Sequence, residues 1–362
     1  MGKILITGAD GYLGRRLVRR LLQTTDAELV LAVRARHAAD LAAEQSALTT
    51  DLAGFESRVA WAAAALETAE PFAGVDGASV TAILHGAAVT RFNVDAETAR
   101  RVNVDGTRKL LSFARRCPGL ERLVLLSTVY ASGLRGGTIA ETDLDGTAGF
   151  ANQYERSKWE SERLLGDASF ADLPWRICRV ATVVADDESG RVSQQNAVHN
   201  TLKLLYHGLL TLVPGCPDVP VYFVTGEFAV EATLAALRAP VADRVFHACH
   251  TRAESLGLGE LIDVAFTAFE REEAFRARRI LKPLFADAES FDRLVGAVQS
   301  FGGGIAAQAV SSVAPFARQL FVAKSVENGR LQAAMPGYRA PDAKELMRRT
   351  CASLVRTRWG RA

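Results

Sequence analysis

Three glycines that follow a short apolar run near the start of the chain constrain its fold more than any other feature. The run reads KILIT, and Gly8, Gly11 and Gly14 follow it in the segment GADGYLGRRL. The first glycine permits a tight turn, the second lets backbone approach a phosphate, and the third lets a helix pack on the strand. A pyrophosphate binds well at the N-terminus of such a helix. The segment therefore predicts a dinucleotide-binding turn, with a purely structural turn as the alternative.

Short apolar runs alternate with helical segments through the first half of the chain. The predicted strands read KILITGA, ELVLAVR, RVAWAAAAL, AILHGAA, RLVLLST and PWRICRVATVV. The predicted helices read GRRLVRRLLQ, RKLLSFARRC and YERSKWESERLL. Apolar runs separated by helices indicate a parallel sheet that is covered on both faces. We therefore predict an α/β fold, a doubly wound parallel sheet of the Rossmann type.

The alternation becomes irregular after about residue 185, which suggests a division of the chain. Residues 1–184 are predicted to form the dinucleotide-binding domain, and residues 219–250 are expected to return to it. Residues 185–218 and 251–362 are predicted to form a mainly helical, substrate-binding subdomain, with amphipathic pieces such as EREEAFRARRILKPLF. Oligomeric state is left open.

Composition excludes several classes of function. With 43 basic and 41 acidic residues, the net charge of +2 favours no nucleic-acid partner. The chain opens directly into a strand with no signal-sequence pattern, so we expect a cytoplasmic protein. The five cysteines form no C-x-x-C pair, so we predict buried, reduced thiols and no metal site; they are Cys117, Cys178, Cys216, Cys249 and Cys351.

The uncharged segment LVGAVQSFGGGIAAQAVSSVAPFA, residues 294–317, is long enough to cross a bilayer. Its Ala, Ser, Gln and Gly residues weaken both its hydrophobicity and its helix propensity. We predict two buried helices that meet at the glycines Gly302 to Gly304, and no transmembrane span. A lipid-facing or acyl-chain-lining surface is the alternative.

Two arginines bear on the choice of dinucleotide. The second strand ends LAVRARH, without the acidic residue that would hold a ribose 2′-hydroxyl. Arg34 stands there instead, and Arg15 follows the third glycine. A guanidinium group suits a 2′-phosphate through paired hydrogen bonds. We therefore predict NADP(H) as the cofactor, with solvated surface arginines as the alternative.

A tyrosine and a lysine form a candidate reaction centre. Tyr154 and Lys158 lie four residues apart in the helical segment NQYERSKWESERLL, hence on one helix face. The strand RLVLLST ends in Ser127 and Thr128 at the carboxyl edge of the sheet, where ligands bind. Hydride delivery to a carbonyl needs a proton donor, a cation that lowers the donor's pKa, and a second hydrogen-bond donor. We predict these roles for Tyr154, Lys158 and Thr128, respectively.

These motifs resemble the extended short-chain dehydrogenases/reductases, and among them the thioester-reductase and fatty-acyl-reductase branch with its male sterility NAD-binding domain. The resemblance covers about residues 1–230, and NVDGT and YERSKWESE are specific to extended members. VRA, STV and the sequence Lys-Trp-Glu favour the thioester-reducing branch. The motifs that carry the resemblance are TGADGYLGRRL, LAVRA, ILHGAAVTRFN, NVDGTRKLL, LLSTVYASG, YERSKWESERLL and VVADDESGRV.

The resemblance implies roles for further residues. It favours Thr128 over Ser127 as the third catalytic residue, and it implies that Lys158 bridges to the nicotinamide ribose. The third strand reads AAAAL where relatives often have Gly-Asp-Leu, so Leu66 is expected to meet the adenine alone. Arg179 precedes a valine where many relatives have proline, which alters the expected pocket floor. The predicted cofactor contacts are Gly8, Asp10, Gly11, Tyr12, Leu13, Arg15, Arg34, Leu66, Ala87, Ala88 and Lys158.

Three histidines are weaker candidates. His85 is predicted to support the sheet edge. His247 and His250, in RVFHACH, are predicted to be structural residues of a strand or loop, with a pocket-lining role as the alternative.

The leading functional prediction is an NADPH-dependent reductase that converts an acyl thioester to an aldehyde, with a second hydride giving the alcohol. No carrier or adenylation module precedes the motifs, so we expect the thioester to come from a separate carrier protein or from coenzyme A. One alternative is a reductase or dehydrogenase of a free ketone, aldehyde or sterol-like alcohol on the same residues. A nucleotide-sugar epimerase or dehydratase is less favoured, since those enzymes prefer NAD and an acidic residue after the second strand. A non-catalytic NADP-sensing protein is a further alternative.

Overall fold

Seven parallel strands form the central sheet of the protein, a computed structural model that describes residues 2–240, 242–301 and 304–360. The strand order in the sheet is β12-β7-β5-β4-β1-β2-β3. From β1 the chain first adds strands on one side and then, from β4 onward, on the other side, which confirms the doubly wound fold. In chain order the strands are β1 Lys3–Thr7, β2 Glu28–Val33, β3 Val59–Ala63, β4 Val80–His85, β5 Arg122–Thr128, β6 Gly137–Ile139, β7 Trp175–Val180, β8 Thr182–Ala185, β9 Leu212–Pro214, β10 Pro220–Val221, β11 Phe223–Thr225, β12 Val245–Ala248, β13 Leu256–Gly257, β14 Leu284–Ala286 and β15 Lys324–Val326.

Helices cover both faces of this sheet and build most of the C-terminal region. They are α1 Tyr12–Thr24, α2 Ala38–Leu48, α3 Ala96–Ala99, α4 Asp105–Ala114, α5 Gln153–Leu165, α6 Ala197–Tyr206, α7 Gly226–Arg238, α8 Leu258–Phe269, α9 Glu273–Ala277, α10 Ala288–Phe301, α11 Ile305–Val313, α12 Gly329–Ala334 and α13 Ala343–Arg356. A π-helical turn, Arg100–Val104, joins α3 to α4, and a 3₁₀-helix, Ala314–Phe321, follows α11.

The sheet strands are buried on both faces, because successive side chains point into the hydrophobic cores on opposite sides of the sheet. On β1, Ile6 packs with α1 and α7, whereas Leu5 packs on the opposite face with α4 and α5. Both residues are at most 1% exposed. This two-sided burial explains why the strands read as continuous apolar runs instead of alternating patterns.

The predicted strand PWRICRVATVV is in fact two strands. The N–H of Ala181 donates to the carbonyl of Ala248, and beyond that point β8 leaves the sheet and pairs with β11 instead. The segment 219–250 contributes α7 and β12, and β12 lies beside β7 at the sheet edge. The boundaries proposed at residues 185 and 219 stay predictions.

The prediction of amphipathic helix for EREEAFRARRILKPLF is wrong for most of its length. Only α9 is helical, because Arg279 adopts a φ of +51° and ends the turn. Pro283 follows Lys282, and the residue before a proline is disfavoured in the helical region. The chain then enters β14, which pairs with β9.

The uncharged segment 294–317 contains the end of α10, then α11 and the start of the 3₁₀-helix. Phe291, Val310 and Val313 are buried, but much of α10 is exposed, so the prediction of two buried helices is wrong for α10. The predicted glycine junction falls largely on residues 302 and 303, which lie outside the described residues. Within the described ranges, no helix combines the length and the apolar character needed to cross a bilayer.

The C-terminal region has a hydrophobic core of its own, built by α6, α8 and α13. It returns to the sheet domain through β15, which pairs in parallel with β6. Tyr222 reinforces this junction, since its hydroxyl donates to the carbonyl of Lys324 at 2.8 Å and accepts from the N–H of Val326 at 3.1 Å. The segment around β15 therefore lies against the sheet domain.

Candidate active site

The glycine turn between β1 and α1 lies at the switch point of the sheet. Gly8 has a φ of +69°, a left-handed value that favours glycine. A Cβ atom on Gly8 would lie 2.8 Å from the backbone nitrogen of Ala87, and one on Gly14 would lie 1.9 Å from the Gly8 carbonyl oxygen. Gly11 is the N-cap of α1 and provides no side-chain cap for its first N–H groups. The turn therefore offers the close backbone and N–H donors that a pyrophosphate requires.

Arg15 and Tyr12 fix the shape of this turn. Arg15 Nε donates to the carbonyl of Asp10 at 2.9 Å, within the turn itself. The Tyr12 hydroxyl donates to Asp186 Oδ1 at 2.8 Å, and the Arg16 guanidinium lies 3.8 Å from the Tyr12 ring centroid. Burial, followed by the bond to Asp186, raises the pKa of Tyr12. Tyr12 thus joins the turn to the loop after β8.

The loop after β4 lies against the glycine turn and is positioned by an asparagine. The N–H of Ala87 donates to Thr7 Oγ1 at 3.2 Å. Asn103 bonds both backbone groups of Val89, at 2.8 Å and 3.0 Å, and also donates to Ser157 Oγ at 2.8 Å. Asn103 lies in the π-helical turn, a feature often found at functional sites. Its role was not assigned from the sequence, although NVDGT was recognised as a family motif.

The other predicted apolar cofactor contacts differ in exposure. Leu13 and Ala88 are partly exposed beside the glycine turn and the loop after β4. Leu66 is only 3% exposed, and its Cβ would lie 2.9 Å from a Cβ atom added to Gly106. The Leu66 side chain therefore lies in the core, and its contact with the adenine stays a prediction.

Arg34 lies just beyond β2 and is paired with an acidic residue. Arg34 Nη2 lies 3.1 Å from Glu67 Oε1, and Arg36 Nη2 lies 2.9 Å from the same oxygen. The burial that would raise the pKa of Glu67 is outweighed by bonds from Arg36 and then Arg34, which lower it to about 2. Both guanidinium groups are about two-thirds exposed, at 68% and 64%. Arg36 was not predicted from the sequence, and together with Arg34 it places two guanidinium groups just beyond β2.

Thr128 and Tyr154 come together at the carboxyl edge of β5. Thr128 is the last residue of the strand, and Tyr154 is the second residue of α5. Burial raises the pKa of Tyr154, and a side-chain hydrogen bond with Thr128 opposes that rise. Tyr154 therefore stays protonated through the neutral range, as a proton donor must.

Lys158 lies one turn after Tyr154 on α5 and is 6% exposed. Its Nζ donates to the carbonyl of Leu126 at 2.6 Å. Burial lowers the pKa of Lys158 to about 8, and the charge of Glu162 acts in the opposite direction. The lysine is therefore a buried cation that loses its proton far more easily than a surface lysine.

Behind Lys158 lies a buried ion pair that was not assigned from the sequence. Glu162 accepts from Ser127 Oγ at 2.5 Å and from Arg179 Nη2 at 2.7 Å. Arg179 also lies 3.0 Å from His247 Nε2, and the Glu162 and Arg179 side chains are 5% and 1% exposed. Ser127 is thus occupied by Glu162, which leaves Thr128 as the hydroxyl next to Tyr154.

The three histidines have structural partners. His85 Nδ1 lies 2.7 Å from Thr7 Oγ1, and its Nε2 lies 3.1 Å from Thr107 Oγ1. Burial lowers the pKa of His85 and of His247 to about 3, so both are neutral. His250 is buried and its Nδ1 lies 3.2 Å from the Tyr338 hydroxyl.

Comparison with known proteins gives one family match. Residues 6–233, more than half of the chain, match the model of an NAD-binding domain described as "Male sterility protein". Among curated proteins, the isonitrile lipopeptide synthase of Streptomyces coeruleorubidus is 31% identical over 216 residues. That alignment covers 56% of this chain but only 14% of the synthase, so the chain is similar to a small part of it.

Two solved structures share the fold over nearly the whole chain. The terminal R domain from the myxalamid PKS-NRPS biosynthetic pathway superimposes with a TM-score of 0.76 at 21% identity, covering 99% of this chain and 92% of that one. A thiolation-reductase di-domain from an archaeal non-ribosomal peptide synthetase superimposes with a TM-score of 0.73 at 19% identity. It covers 99% of this chain and 76% of that chain. The likeness includes the C-terminal region, which the family model does not reach.

Proposed function

The chain belongs to the male sterility protein family of NAD-binding domains, and from that premise we propose that it is an NADPH-dependent reductase of acyl thioesters. The proposal rests on two contacts near the carboxyl end of β5: the hydrogen bond between Thr128 and Tyr154, and the bond from the buried Lys158 to the carbonyl of Leu126. That end lies beside the glycine turn, where a dinucleotide binds in a doubly wound sheet.

The residues around the turn fit a nicotinamide dinucleotide. Gly8 and Gly14 leave no room for a Cβ, and the N-terminus of α1 has no side-chain cap at Gly11. When bound, the cofactor supplies a hydride. We propose that its phosphorylated form is used, since Arg34 and Arg36 present two exposed guanidinium groups beyond β2, where a 2′-phosphate would be read.

The protein's own groups would act on the carbonyl oxygen. Tyr154 and Thr128 donate hydrogen bonds to that oxygen, and Tyr154 passes its proton as negative charge develops there. Lys158 supports the tyrosine as a cation. Hydride at carbon and a proton at oxygen give a hemithioacetal, whose carbon–sulfur bond then breaks to release an aldehyde and a thiol. A second hydride and proton would give the alcohol.

The choice of a thioester as substrate is supported by the names of the similar proteins. A lipopeptide synthase is among them, and the solved structures include a thiolation-reductase di-domain. We propose a carrier-bound acyl group or acyl-coenzyme A as the substrate.

The test is NADPH oxidation with three substrate classes: acyl thioesters, free aldehydes and free ketones. We expect oxidation with thioesters, together with one thiol released for each aldehyde formed. Oxidation with ketones and no thiol release would favour a free-carbonyl reductase instead. NADPH binding without turnover on any class would favour a cofactor-sensing protein.

A further inference from the structure

Three aromatic rings form a cluster beside Tyr154, in which Phe92 contacts the Tyr154 ring and also the other two rings. The Phe92 ring centroid lies 5.8 Å from that of Tyr154 and 6.5 Å from that of Tyr130. The Phe316 ring centroid lies 5.8 Å from that of Phe92. All four rings are partly exposed. We call Phe92, Tyr130 and Phe316 the aromatic wall.

The wall is assembled from distant parts of the chain. Phe92 lies in the loop after β4, five residues beyond Ala87, and Tyr130 follows Thr128 by two residues. Phe316 belongs to the C-terminal strap, which we define as residues 314–326. The strap is the part of the C-terminal region that reaches the catalytic helix.

Phe316 is held in place from both sides by the start of α5. Asn152 Nδ2 donates to the carbonyl of Pro315, the preceding residue, at 3.1 Å. Gln319 Nε2 donates to Glu155 Oε2 at 2.8 Å, one turn further along the strap. Asn152 and Glu155 flank Tyr154 closely in sequence, so the same turn of helix positions both the tyrosine and Phe316.

Two buried charged groups near the wall are already bound to protein. Glu155 is fully buried and accepts from the N–H of Ala151 at 3.0 Å and from Asn152 Nδ2 at 3.1 Å, in addition to Gln319. Lys324 Nζ donates to Ser132 Oγ at 3.0 Å and to the carbonyl of Gly133. Neither group is directed to a ligand, so the wall presents apolar surface.

A carbonyl bonded to Tyr154 must place its substituent within a few ångströms of that hydroxyl. We propose that the aromatic wall binds the acyl group of the substrate next to its carbonyl, and that the protein selects acyl thioesters whose first carbons are apolar over those that carry a charge. This inference rests on the proposed thioester reduction and specifies the substrate class of that site. Aromatic rings bury apolar groups well, while a carboxylate brought against them loses its hydration without a partner.

The test compares pantetheine thioesters of butanoate and succinate, which have equal carbon number and differ in a terminal carboxylate. The acetyl and octanoyl thioesters extend the series. We expect the wild-type chain to show kcat/KM at least ~10-fold higher for butanoyl than for succinyl thioester. Equal values, or a preference for succinyl, would overturn the proposal without any variant.

Variants locate the effect. Phe316→Ala is expected to lower kcat/KM for the octanoyl thioester by ~10-fold or more, with a much smaller effect on the acetyl thioester and on NADPH affinity. Phe316→Leu should retain most of the octanoyl activity. Phe285→Ala removes a partly exposed phenylalanine on β14 and serves as the matched control. Equal losses on acetyl and octanoyl thioesters, or an equal loss in the control, contradict the subsite. Absence of wild-type turnover with every thioester contradicts the proposed function instead.

Discussion

The Nζ atom of Lys158 donates a 2.6 Å hydrogen bond to the backbone carbonyl oxygen of Leu126. Leu126 lies two residues before Thr128 on β5, so this bond ties the catalytic helix to the strand that carries the second hydroxyl. It fixes the position of the Lys158 amine, the cation of the proposed centre, one turn beyond Tyr154 on α5. The reactivity of the centre should therefore follow the charge of this one buried amine.

The first prediction concerns pH. The pKa of Lys158 is lowered to about 8 by burial, so the cation is present below that pH and is lost as the pH rises through it. The pKa of Tyr154 is raised, so the tyrosine stays protonated over the same range. We expect kcat for reduction to fall as the pH rises above about 8. A profile from about pH 6 to about pH 10 measures this.

Lys158→Arg provides the control for that profile, since an arginine keeps its charge throughout. Whatever activity remains in this variant should not fall in the alkaline range. A wild-type rate that stays level up to about pH 10 would contradict a role for the lysine charge.

The second prediction separates chemistry from binding. Tyr154→Phe removes the proposed proton donor but keeps the ring that packs on Phe92. We expect turnover to fall by about 10²–10⁴-fold, the usual contribution of general acid catalysis, while NADPH affinity is nearly unchanged. Fluorescence titration of NADPH alongside steady-state rates tests this. A parallel loss of binding would mean that the tyrosine has another role.

The third prediction concerns the buried pair behind the lysine. Glu162→Gln removes an anion that favours protonated Lys158, so the alkaline limb of the rate profile should move to lower pH. It also leaves Arg179 buried beside a neutral partner, and we expect the free energy of unfolding to fall by about 3–5 kcal/mol. Chemical denaturation and the pH profile measure the two effects.

Glu160→Gln is the matched control on the same helix. Glu160 pairs with Arg156 at 2.9 Å, and their side chains are 29% and 58% exposed, so solvent screens the pair. Its loss should lower the free energy of unfolding by at most about 1 kcal/mol and leave the pH profile unchanged. If both variants shift the profile equally, Glu162 has no specific effect on the lysine.

The fourth prediction concerns cofactor choice. Replacing both Arg34 and Arg36 by alanine should weaken NADPH binding by ~10²-fold or more, because each of the two lost charge-assisted hydrogen bonds is worth about 1.5–3 kcal/mol. NADH, which lacks the 2′-phosphate, should bind almost as before. Isothermal titration with both cofactors gives the comparison. An equal loss for NADH would place these arginines outside the 2′-phosphate site, and Glu67 would then be their structural partner only.

The central sheet could be predicted from the sequence because its signals are local. Each strand is a continuous apolar run, and Gly8 and Gly14 mark a turn that no other residue type would allow. The spacing of Tyr154 and Lys158 is likewise a local, helical relation. The sequence did not show that the long strand PWRICRVATVV divides into β7 and β8, because that division depends on the pairing of β8 with β11.

The support of the site could not be predicted, because it depends on contacts between distant residues. Arg179 precedes Val180, which stands where many relatives have proline, and no local signal pairs this arginine with Glu162. Asn103 belongs to a recognised motif, but its bonds to Val89 appear only in the fold. Phe316 lies in a region with no recognised pattern, and its place beside Phe92 follows from how the C-terminal strap returns to α5.

Direct hydride transfer to the substrate carbonyl is tested with NADPH that carries deuterium in place of both hydrogens at the reactive nicotinamide carbon. The protein would be incubated with this cofactor and an octanoyl thioester, with aldehyde, thiol and oxidised cofactor quantified together. We predict deuterium at the aldehyde carbon, one thiol for each molecule of aldehyde or alcohol formed, and one NADP⁺ for each hydride transferred. Release of thiol with no cofactor oxidised, or aldehyde that carries no label, would contradict this prediction.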